Sequence, residues 1–331
     1  MQYIIAGGKM KSDKKSTIAI IGSGTLGGGM AQVFVLAGHK CVISDSDVNS
    51  SARSFNRLLL ETESFEKQGL FPVGSSQLLL ENLSYAESIE GACKDADYIV
   101  ESVPEVIEVK KAVFAKISEY ARKDAVIASN TSAIPISQLA AFVSYPDRFL
   151  GVHWVNPATF VPGVELIASP ETSEHVLQFV EQLIGGVGKV TSRVSDVAGF
   201  ITNRLQFALH KEAMKMFEEG SATPSQIDSV VSNTFGFRLA FFGPFAIADM
   251  GGLDVFAGAY KSLEQAFGER YSAPQALLEK VADGDYGLKT GGGFAGLDGN
   301  RIEEIVAYRN RAFAALSQLK KDLGPPPGMP M

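Results

Sequence analysis

The sequence predicts an α/β fold in which an N-terminal, doubly wound and mostly parallel sheet is followed by an all-α C-terminal domain. Short apolar segments alternate with amphipathic helical segments up to about residue 198, and only the helical pattern continues beyond residue 199. Strands that alternate with helices are typical of parallel sheets with helices on both faces. The 331 residues also exceed the usual size of one hydrophobic core, which favours two domains.

The strands are predicted from short apolar runs that end at glycine or polar residues. Helical spacing of apolar residues separates these runs, for example from Lys110 to Ala121. In the C-terminal part, Thr223, Pro224 and Gln226 form a helix start, with a capping threonine and a glutamine three positions later. The predicted strands cover residues 18–21, 41–43, 98–100, 125–128, 149–152 and 189–194.

We predict a sheet domain over residues 17–198 and a helical domain over residues 199–322. Residues 1–16 contain an apolar patch that is too short for a secretion signal or a membrane span. We therefore expect residues 1–16 to form a flexible tail. The proline-rich residues 323–331 are expected to form a disordered tail.

Composition favours a small-molecule partner, a cytoplasmic location and no membrane partner. The formal net charge is −7 and the 30 lysines and arginines are scattered, which disfavours nucleic acid as a partner. Cys41 and Cys93 have no metal-binding or redox spacing, so we predict no metal site. Isolated cysteines are typical of a reducing compartment.

A glycine-rich motif follows the first predicted strand and precedes a helix. In this context glycines allow a tight turn and let the helix N-terminus face a pyrophosphate. Asp45 follows the second strand, where a carboxylate accepts both ribose hydroxyls and repels a 2′-phosphate, and no arginine follows it immediately. These features predict a Rossmann nucleotide site with NAD as the cofactor. The motif consists of Gly22, Ser23, Gly24, Thr25, Leu26 and Gly27.

Histidine is the side chain that best suits removal of a hydroxyl proton during hydride transfer. Of the four histidines, only His153 ends a predicted strand at the carboxyl edge of the sheet, where such sheets bind ligands. Glu165 follows in an apolar segment that we interpret as a neighbouring strand. A carboxylate there would orient the imidazole. From spacing alone, structural roles for both residues are an equal alternative.

A set of motifs resembles the L-3-hydroxyacyl-CoA dehydrogenase family, in matching order over roughly residues 18–294. Residues 203–206 and 236–244 are similar to the lambda-crystallin (L-gulonate 3-dehydrogenase) branch of that family. The matching motifs are Gly22-x-Gly24-x-x-Gly27, Pro104-Glu105 to Lys110, Ser129 to Ser132, His153 to Pro157, Glu165, Gly199 to Arg204 and Gly243-Pro244.

The resemblance implies an NAD-dependent dehydrogenase that acts on a CH–OH group, with His153 as the general base and Glu165 as its partner. By residue pattern alone, the alternatives are an ordinary turn for Ser132, a polar helix start for Asn203, and a solvated helix start for residues 105–110. The resemblance further implies that Ser132 and Asn203 hold the substrate oxygen or the base. It also implies that Glu105 and Lys110 flank the nicotinamide ribose and that Asn130 lies at the cofactor site.

Two substrate classes stay open, an L-3-hydroxyacyl-CoA and a small free hydroxy acid. Acyl-CoA enzymes of the family hold a 3′-phosphate with hydroxyl and lysine groups on the helix after the acidic ribose ligand. Here Glu61 and Glu63 lie in that stretch beside Lys67, and two acids near a phosphate are unfavourable. Arg238 would clamp a free carboxylate, or else form an internal salt bridge. Residues 287–294, in contrast, resemble bacterial hydroxyacyl-CoA enzymes.

A structural or NAD-sensing protein is a further alternative, because lambda-crystallin-like proteins serve as abundant structural proteins. The complete set of His153, Glu165, Ser132 and Asn203 favours an active enzyme. A β-hydroxyacid dehydrogenase with a lysine base is disfavoured, since no lysine occupies a clear catalytic motif in the helical domain. The resemblance also implies that helical domains pair to form a homodimer.

Overall fold

The computed structural model describes residues 15–328. The described chain divides into two compact units that separate between Ala208 and Leu209. The predicted boundary at residues 198/199 falls ten residues earlier in the chain than the division at 208/209. Of the tails predicted at residues 1–16 and 323–331, residues 1–14 and 329–331 lie outside the described residues, and Leu323 is the last residue of the final helix.

The first unit contains one eight-stranded sheet with the strand order β3-β2-β1-β4-β5-β6-β7-β8. Neighbouring strands are parallel except for β6 and β7, which are antiparallel, so the predicted mostly parallel sheet is confirmed. The strands are β1 (Thr17–Ile21), β2 (Lys40–Ser44), β3 (Leu83–Tyr85), β4 (Tyr98–Glu101), β5 (Val126–Ser129), β6 (Phe149–Trp154), β7 (Gly163–Ala168) and β8 (Val190–Val194).

Helices cover both faces of this sheet, which explains why its strands are apolar without interruption. In β1, Ile18 and Ile20 pack into the core on one face, whereas Ala19 and Ile21 pack into the core on the other face. The helices of the first unit are α1 (Thr25–Leu36), α2 (Val48–Lys67), α3 (Ser75–Asn82), α4 (Ile89–Cys93), α5 (Ile107–Tyr120), α6 (Ile136–Ala140) and α7 (Glu174–Gly186).

The helix α8 (Thr202–Glu218) begins in the first unit and ends in the second. The second unit is helical, as the sequence predicts, and its capping box at Thr223 and Gln226 is confirmed. The remaining helices are α9 (Pro224–Asn233), α10 (Phe235–Leu239), α11 (Pro244–Gly251), α12 (Leu253–Phe267), α13 (Gln275–Ala282) and α14 (Ile302–Leu323).

One prediction about local structure needs correction. His153 does not end its strand, because β6 continues through Trp154. No residue of α8 is buried in this single chain, and its apolar side chains Leu205, Leu209 and Phe217 are exposed.

Within residues 15–328, no single helix is both long and apolar enough to cross a membrane, although the bent pair Pro224–Leu239 and Pro244–Gly251 meets these criteria together. In the same part of the chain, no group of three or more His, Cys, Asp and Glu side chains is arranged to hold a metal ion.

Candidate functional site

The glycine-rich motif forms the turn between β1 and α1, and two of its glycines are required by close packing. Gly22 has a φ of 99°, and a Cβ atom there would lie 2.4 Å from the carbonyl oxygen of Ser102. A Cβ atom on Gly27 would lie 2.0 Å from the carbonyl oxygen of Gly22. The turn therefore packs against Ser102, the residue after β4, and α1 packs against the turn, more closely than any side chain at these positions allows.

The middle glycine faces open space, which fits a bound pyrophosphate. Gly24 is the N-cap of α1, has no heavy atom within 4 Å of its Cβ position, and provides no side-chain cap for the helix. The backbone N–H groups of the first turn, at Thr25 and Leu26, therefore have no side-chain acceptor. Such N–H groups, together with the helix dipole, bind phosphate groups.

Asp45 follows β2 and lies next to this turn. Its Oδ2 atom accepts hydrogen bonds from the backbone N–H of Ser23 at 2.8 Å and from the Ser23 hydroxyl at 2.7 Å. Burial raises the pKa of Asp45, but the hydrogen bonds from Ser23 and Ser46 outweigh burial and leave the pKa below its ordinary value. The group is therefore an ionised acceptor, as a ligand for ribose hydroxyls must be.

Arg57 on α2 also holds this turn, although it belongs to none of the motifs in the sequence. Its Nη2 atom donates to the carbonyl oxygens of Ser23 at 3.0 Å and Gly24 at 3.2 Å, while Nη1 pairs with Glu61 at 2.9 Å. Because these donors are already engaged, the presence of Arg57 does not alter the preference for NAD that rests on Asp45.

A buried ion pair lies at the carboxyl end of β4. The Lys110 ammonium contacts Glu101 at 2.7 Å and Glu105 at 3.2 Å, and the Glu101 carboxylate also accepts a hydrogen bond from the Ser129 hydroxyl at 2.6 Å. The side chains of Lys110 and Glu101 are 1% and 0% exposed, so the alternative of a solvated helix start is wrong for Lys110. Glu101 is not among the predicted site residues, although a carboxylate at the end of an apolar strand indicates a site residue.

Glu105 connects this ion pair to the segment that follows β5. One oxygen of Glu105 accepts hydrogen bonds from the Thr131 hydroxyl and from the backbone N–H groups of Ser132 at 3.0 Å and Ala133 at 3.1 Å. Burial raises the pKa of Glu105, but the bonds from Thr131 and Lys110 leave it below its ordinary value. The ionised carboxylate therefore fixes the backbone at Ser132.

Asn130 connects β5 to the end of β6. Its Oδ1 atom accepts a hydrogen bond from the backbone N–H of Trp154 at 2.8 Å, and its own backbone N–H donates to the carbonyl of Glu101 at 2.8 Å. These two contacts fix the strand end beside His153. The Nδ2 group of Asn130 has no recorded acceptor among the described residues, so it is the part of the side chain that suits a cofactor contact.

His153 and Glu165 occupy directly opposed positions on the antiparallel strands β6 and β7. The Nδ1 atom of His153 lies 2.7 Å from Oε2 of Glu165, and both side chains are buried. Side chains opposite each other on neighbouring strands project from the same face of the sheet. The strand register alone therefore brings this pair together, and the predicted neighbouring strand is confirmed.

The other oxygen of Glu165 is held by the start of α8. Oε1 accepts hydrogen bonds from the backbone N–H groups of Ile201 and Thr202, each at 3.0 Å. Burial raises the pKa of Glu165, but the hydrogen bond with His153 and these two N–H groups outweigh burial and lower the pKa overall. Glu165 is therefore an ionised carboxylate with both oxygens in use.

The turn before α8 places a further group against the histidine. Gly199 and Phe200 have φ values of 76° and 48°, and the buried Phe200 ring lies 5.5 Å from the His153 ring between centroids. A positive φ at a non-glycine residue is strained and is held here by the surrounding contacts. Asn203, in the first turn of α8, donates from Nδ2 to the carbonyl oxygen of Ser132 at 2.8 Å.

The structure thus connects four residues predicted as catalytic. Glu165 contacts His153 and the first turn of α8, and Asn203 of that turn contacts Ser132. Arg238 belongs to α10 in the second unit, where it is exposed. No carboxylate in residues 15–328 forms an ion pair with Arg238, which argues against the internal salt bridge.

We expect Glu165→Gln to flatten the pH dependence of stability in acid. A carboxylate with a lowered pKa in the folded state stabilises the fold above its ordinary pKa, and this contribution is lost as the pH falls through the lowered pKa. Urea unfolding at several acidic pH values measures the slope, to which one such group contributes at most ~1.4 kcal/mol per pH unit. The exposed Glu87→Gln variant is the control and should keep the wild-type slope. Equal slopes for Glu165→Gln and the wild type would contradict this reading.

Comparison with known proteins identifies the family. The family model for the NAD-binding domain of 3-hydroxyacyl-CoA dehydrogenase matches residues 17–197. The model for the C-terminal domain of 3-hydroxyacyl-CoA dehydrogenase matches residues 199–296. The two matches follow one another along the chain in the order of the sheet and the helical region.

Relatives of the chain include enzymes with different substrates. The 5-formyl-3-hydroxy-2-methylpyridine 4-carboxylate 5-dehydrogenase of Mesorhizobium japonicum is 32% identical over 303 residues, which cover 91% of this chain and 97% of that protein. The L-carnitine dehydrogenase of Staphylococcus epidermidis is 29% identical over 310 residues, with coverages of 93% and 94%.

Among solved structures, the 3-hydroxyacyl-CoA dehydrogenase of Archaeoglobus fulgidus aligns with a TM-score of 0.74 and 28% identity, and the alignment covers 93% of this chain and 99% of that chain. The chain therefore belongs to the 3-hydroxyacyl-CoA dehydrogenase family and is an NAD-dependent oxidoreductase that acts on CH–OH groups.

Proposed function

We propose that His153 is the base that accepts the hydroxyl proton of a 3-hydroxyacyl-type substrate while hydride is exchanged with NAD. The observation that carries this proposal is the 2.7 Å contact between His153 Nδ1 and a Glu165 carboxylate whose other oxygen is bound to α8. An ionised carboxylate accepts hydrogen bonds and donates none. The proton between the two groups therefore belongs to Nδ1, which leaves the lone pair on Nε2.

The proton and the hydride leave the substrate by separate routes. NAD⁺, when bound, supplies the acceptor for the hydride from the carbinol carbon. Nε2 of His153 takes the hydroxyl proton as the C=O bond forms, and the imidazole becomes an imidazolium. Glu165 stabilises that cation because its charge is already fixed by two backbone N–H groups. In the reverse direction, the imidazolium returns the proton to the alkoxide oxygen.

The residues around this pair are assigned by the family resemblance, and their contacts support the assignment. Asn203 fixes the backbone at Ser132, whose hydroxyl we assign to the substrate oxygen. The Glu105 carboxylate and the Lys110 ammonium, which lie 3.2 Å apart, are assigned to the nicotinamide ribose, and Asn130 to the same cofactor region. The open position at Gly24 and the ionised Asp45 are assigned to the pyrophosphate and the adenosine ribose.

The first candidate substrate is an L-3-hydroxyacyl-CoA. The support for this class is the match of both family models and the alignment with the enzyme of Archaeoglobus fulgidus, whose name specifies 3-hydroxyacyl-CoA. The carbon that loses hydride is then the one that bears the hydroxyl, two bonds from the thioester carbonyl. The proton transfer to His153 is the same for every substrate of this type.

The second candidate is a free hydroxy acid, and the charges along α2 favour it. Arg57 pairs with Glu61 at 2.9 Å and Lys67 pairs with Glu63 at 2.5 Å, so two of the three cations of α2, all but Arg53, are paired with acids on the same helix. A 3′-phosphate gains little from cations that are already paired. The exposed Arg238 supplies a guanidinium for a carboxylate instead. The relatives named for a pyridine carboxylate and for L-carnitine also support this candidate.

We expect His153→Ala to lower kcat by about 10²-fold or more while the Kd for NADH stays nearly unchanged, because the base is lost but the nucleotide site is not. NADH absorbance gives kcat and a fluorescence titration gives the Kd. The exposed His175→Ala on α7 is the matched control. Wild-type turnover by His153→Ala would refute the assignment.

A pair of glycine substitutions separates cofactor contact from folding. Gly24→Ala should fold normally and raise the Kd for NADH about 10-fold, since its Cβ enters only the open space at the helix N-terminus. Gly27→Ala should lower the free energy of unfolding by about 1–3 kcal/mol, because its Cβ would overlap the Gly22 carbonyl. Thermal unfolding and NADH fluorescence measure the two effects. Unchanged NADH affinity in Gly24→Ala would contradict the assignment of the pyrophosphate to this turn.

The substrate classes are distinguished by turnover and by removal of the Arg238 charge on α10. A panel of 3-hydroxyacyl-CoAs and free hydroxy acids is assayed by NADH formation with the wild type and with Arg238→Gln. The free-acid candidate predicts activity without CoA and a KM about 10-fold or more higher in Arg238→Gln. Activity with CoA thioesters alone would select the first candidate. Absence of turnover with both classes would contradict the two candidates together.

A further inference from the structure

Lys189 is a buried cation that the proposed chemistry does not use. It lies directly before β8, is 9% exposed, and forms no ion pair with any carboxylate in residues 15–328. A buried ammonium is costly unless its hydrogen-bonding capacity is satisfied. Its three donors must therefore have acceptors of another kind.

Those acceptors are backbone carbonyls of the loop between β6 and β7. The Nζ atom donates to the carbonyl oxygens of Ala158 at 2.6 Å and Val161 at 2.6 Å, and it lies 3.4 Å from that of Thr159. This loop separates the strand of His153 from the strand of Glu165 in the sequence. One side chain thus closes the hairpin on which both members of the pair lie.

The same loop contacts the cofactor-binding helix. The Cβ position of Gly29 on α1 lies 3.2 Å from the Cβ atom of Ala158, so the loop packs directly on the helix that begins at the glycine-rich turn. Ala158 is buried at this contact. Movement of the loop would therefore alter the distance between the nucleotide turn and the strand of His153.

The Lys189 ammonium also contacts Trp154, a residue of β6. The Lys189 ammonium lies 5.6 Å from the centroid of the Trp154 ring, within the range of a cation–π interaction. Trp154 is buried, packs on Phe34 of α1, and is the neighbour of His153 in β6. It is the single tryptophan of the chain, so its fluorescence reports on this position alone.

We propose that Lys189 is a positioning residue whose ammonium holds the β6–β7 loop against α1 and Trp154 and thereby fixes His153 relative to the cofactor turn. The proposal deepens the proposed function, since the consequence for turnover rests on His153 as the base. The effect on Trp154 follows from the contacts of Lys189 alone.

Lys189 loses its charge in a pH range in which the protein can be titrated. Burial lowers the pKa of Lys189 to about 8. The groups that face the ammonium are the three loop carbonyls and the Trp154 indole, and no titratable side chain is recorded among its contacts in the described chain. Because the folded-state pKa lies below the ordinary 10.5, this group makes the free energy of unfolding rise between these two pH values. The titration of Lys189 itself therefore does not favour unfolding near pH 8.

The first test records Trp154 emission of the cofactor-free protein against pH. We expect a wild-type transition with a midpoint near 8. Lys189→Met should lack this transition because it has no ammonium, and Lys189→Arg should lack it because a guanidinium stays charged. The exposed Lys116→Met on α5 should keep it. This test needs no substrate. The wild-type titration is informative even if a Lys189 variant does not fold. Absence of the transition in the wild type, or its persistence in Lys189→Met, would overturn the proposal.

The second test separates positioning from a merely structural role. We expect Lys189→Met to lower kcat about 10-fold or more with little change in KM, and Lys189→Arg to restore most of kcat, since a small displacement of a catalytic group is costly. The expected alkaline loss of kcat near pH 8 should disappear in Lys189→Arg. Wild-type kcat in Lys189→Met, at a pH where the His153→Ala variant is inactive, would overturn the positioning role and leave the proposed function intact.

Discussion

The hydrogen bond between His153 Nδ1 and Glu165 is the interaction on which the rest of the site depends. The antiparallel register of β6 and β7 places the two side chains opposite each other, and the first N–H groups of α8 hold the second carboxylate oxygen. A carboxylate that is bound at both oxygens has one orientation. It therefore fixes the imidazole, its tautomer, and the start of α8.

The sheet topology gathers the charged groups at one edge. The parallel strands β1, β4, β5 and β6 end there, while β7 and β8 begin there because they run in the opposite direction. Each buried charge at that edge is satisfied differently: Lys110 by Glu101, Glu165 by His153 and backbone N–H groups, and Lys189 by backbone carbonyls. Buried charges are retained only with such partners, which also restrict their movement.

The nucleotide turn could be predicted from the sequence because its signals are local. Ser23 and Asp45, which touch in the structure, lie 22 residues apart within one strand–helix–strand unit. The pairing of His153 with Glu165 could be predicted only through the family resemblance, because the contact depends on a strand register that hydrophobic periodicity does not encode. The bond between Glu165 and Ile201 spans 36 residues, and Lys189 shows no pattern beyond a lysine before a strand. The three-residue β3 was too short to detect.

The tautomer of His153 tests the central interaction most directly. Nitrogen NMR of histidine-labelled protein, recorded with neutral imidazoles and assigned by comparison with His153→Gln, distinguishes a proton on Nδ1 from a proton on Nε2. We expect the His153 signals to show the Nδ1–H form, and Glu165→Leu to abolish that preference because the acceptor is removed. An Nε2–H form in the wild type would contradict the assignment of Nε2 as the base.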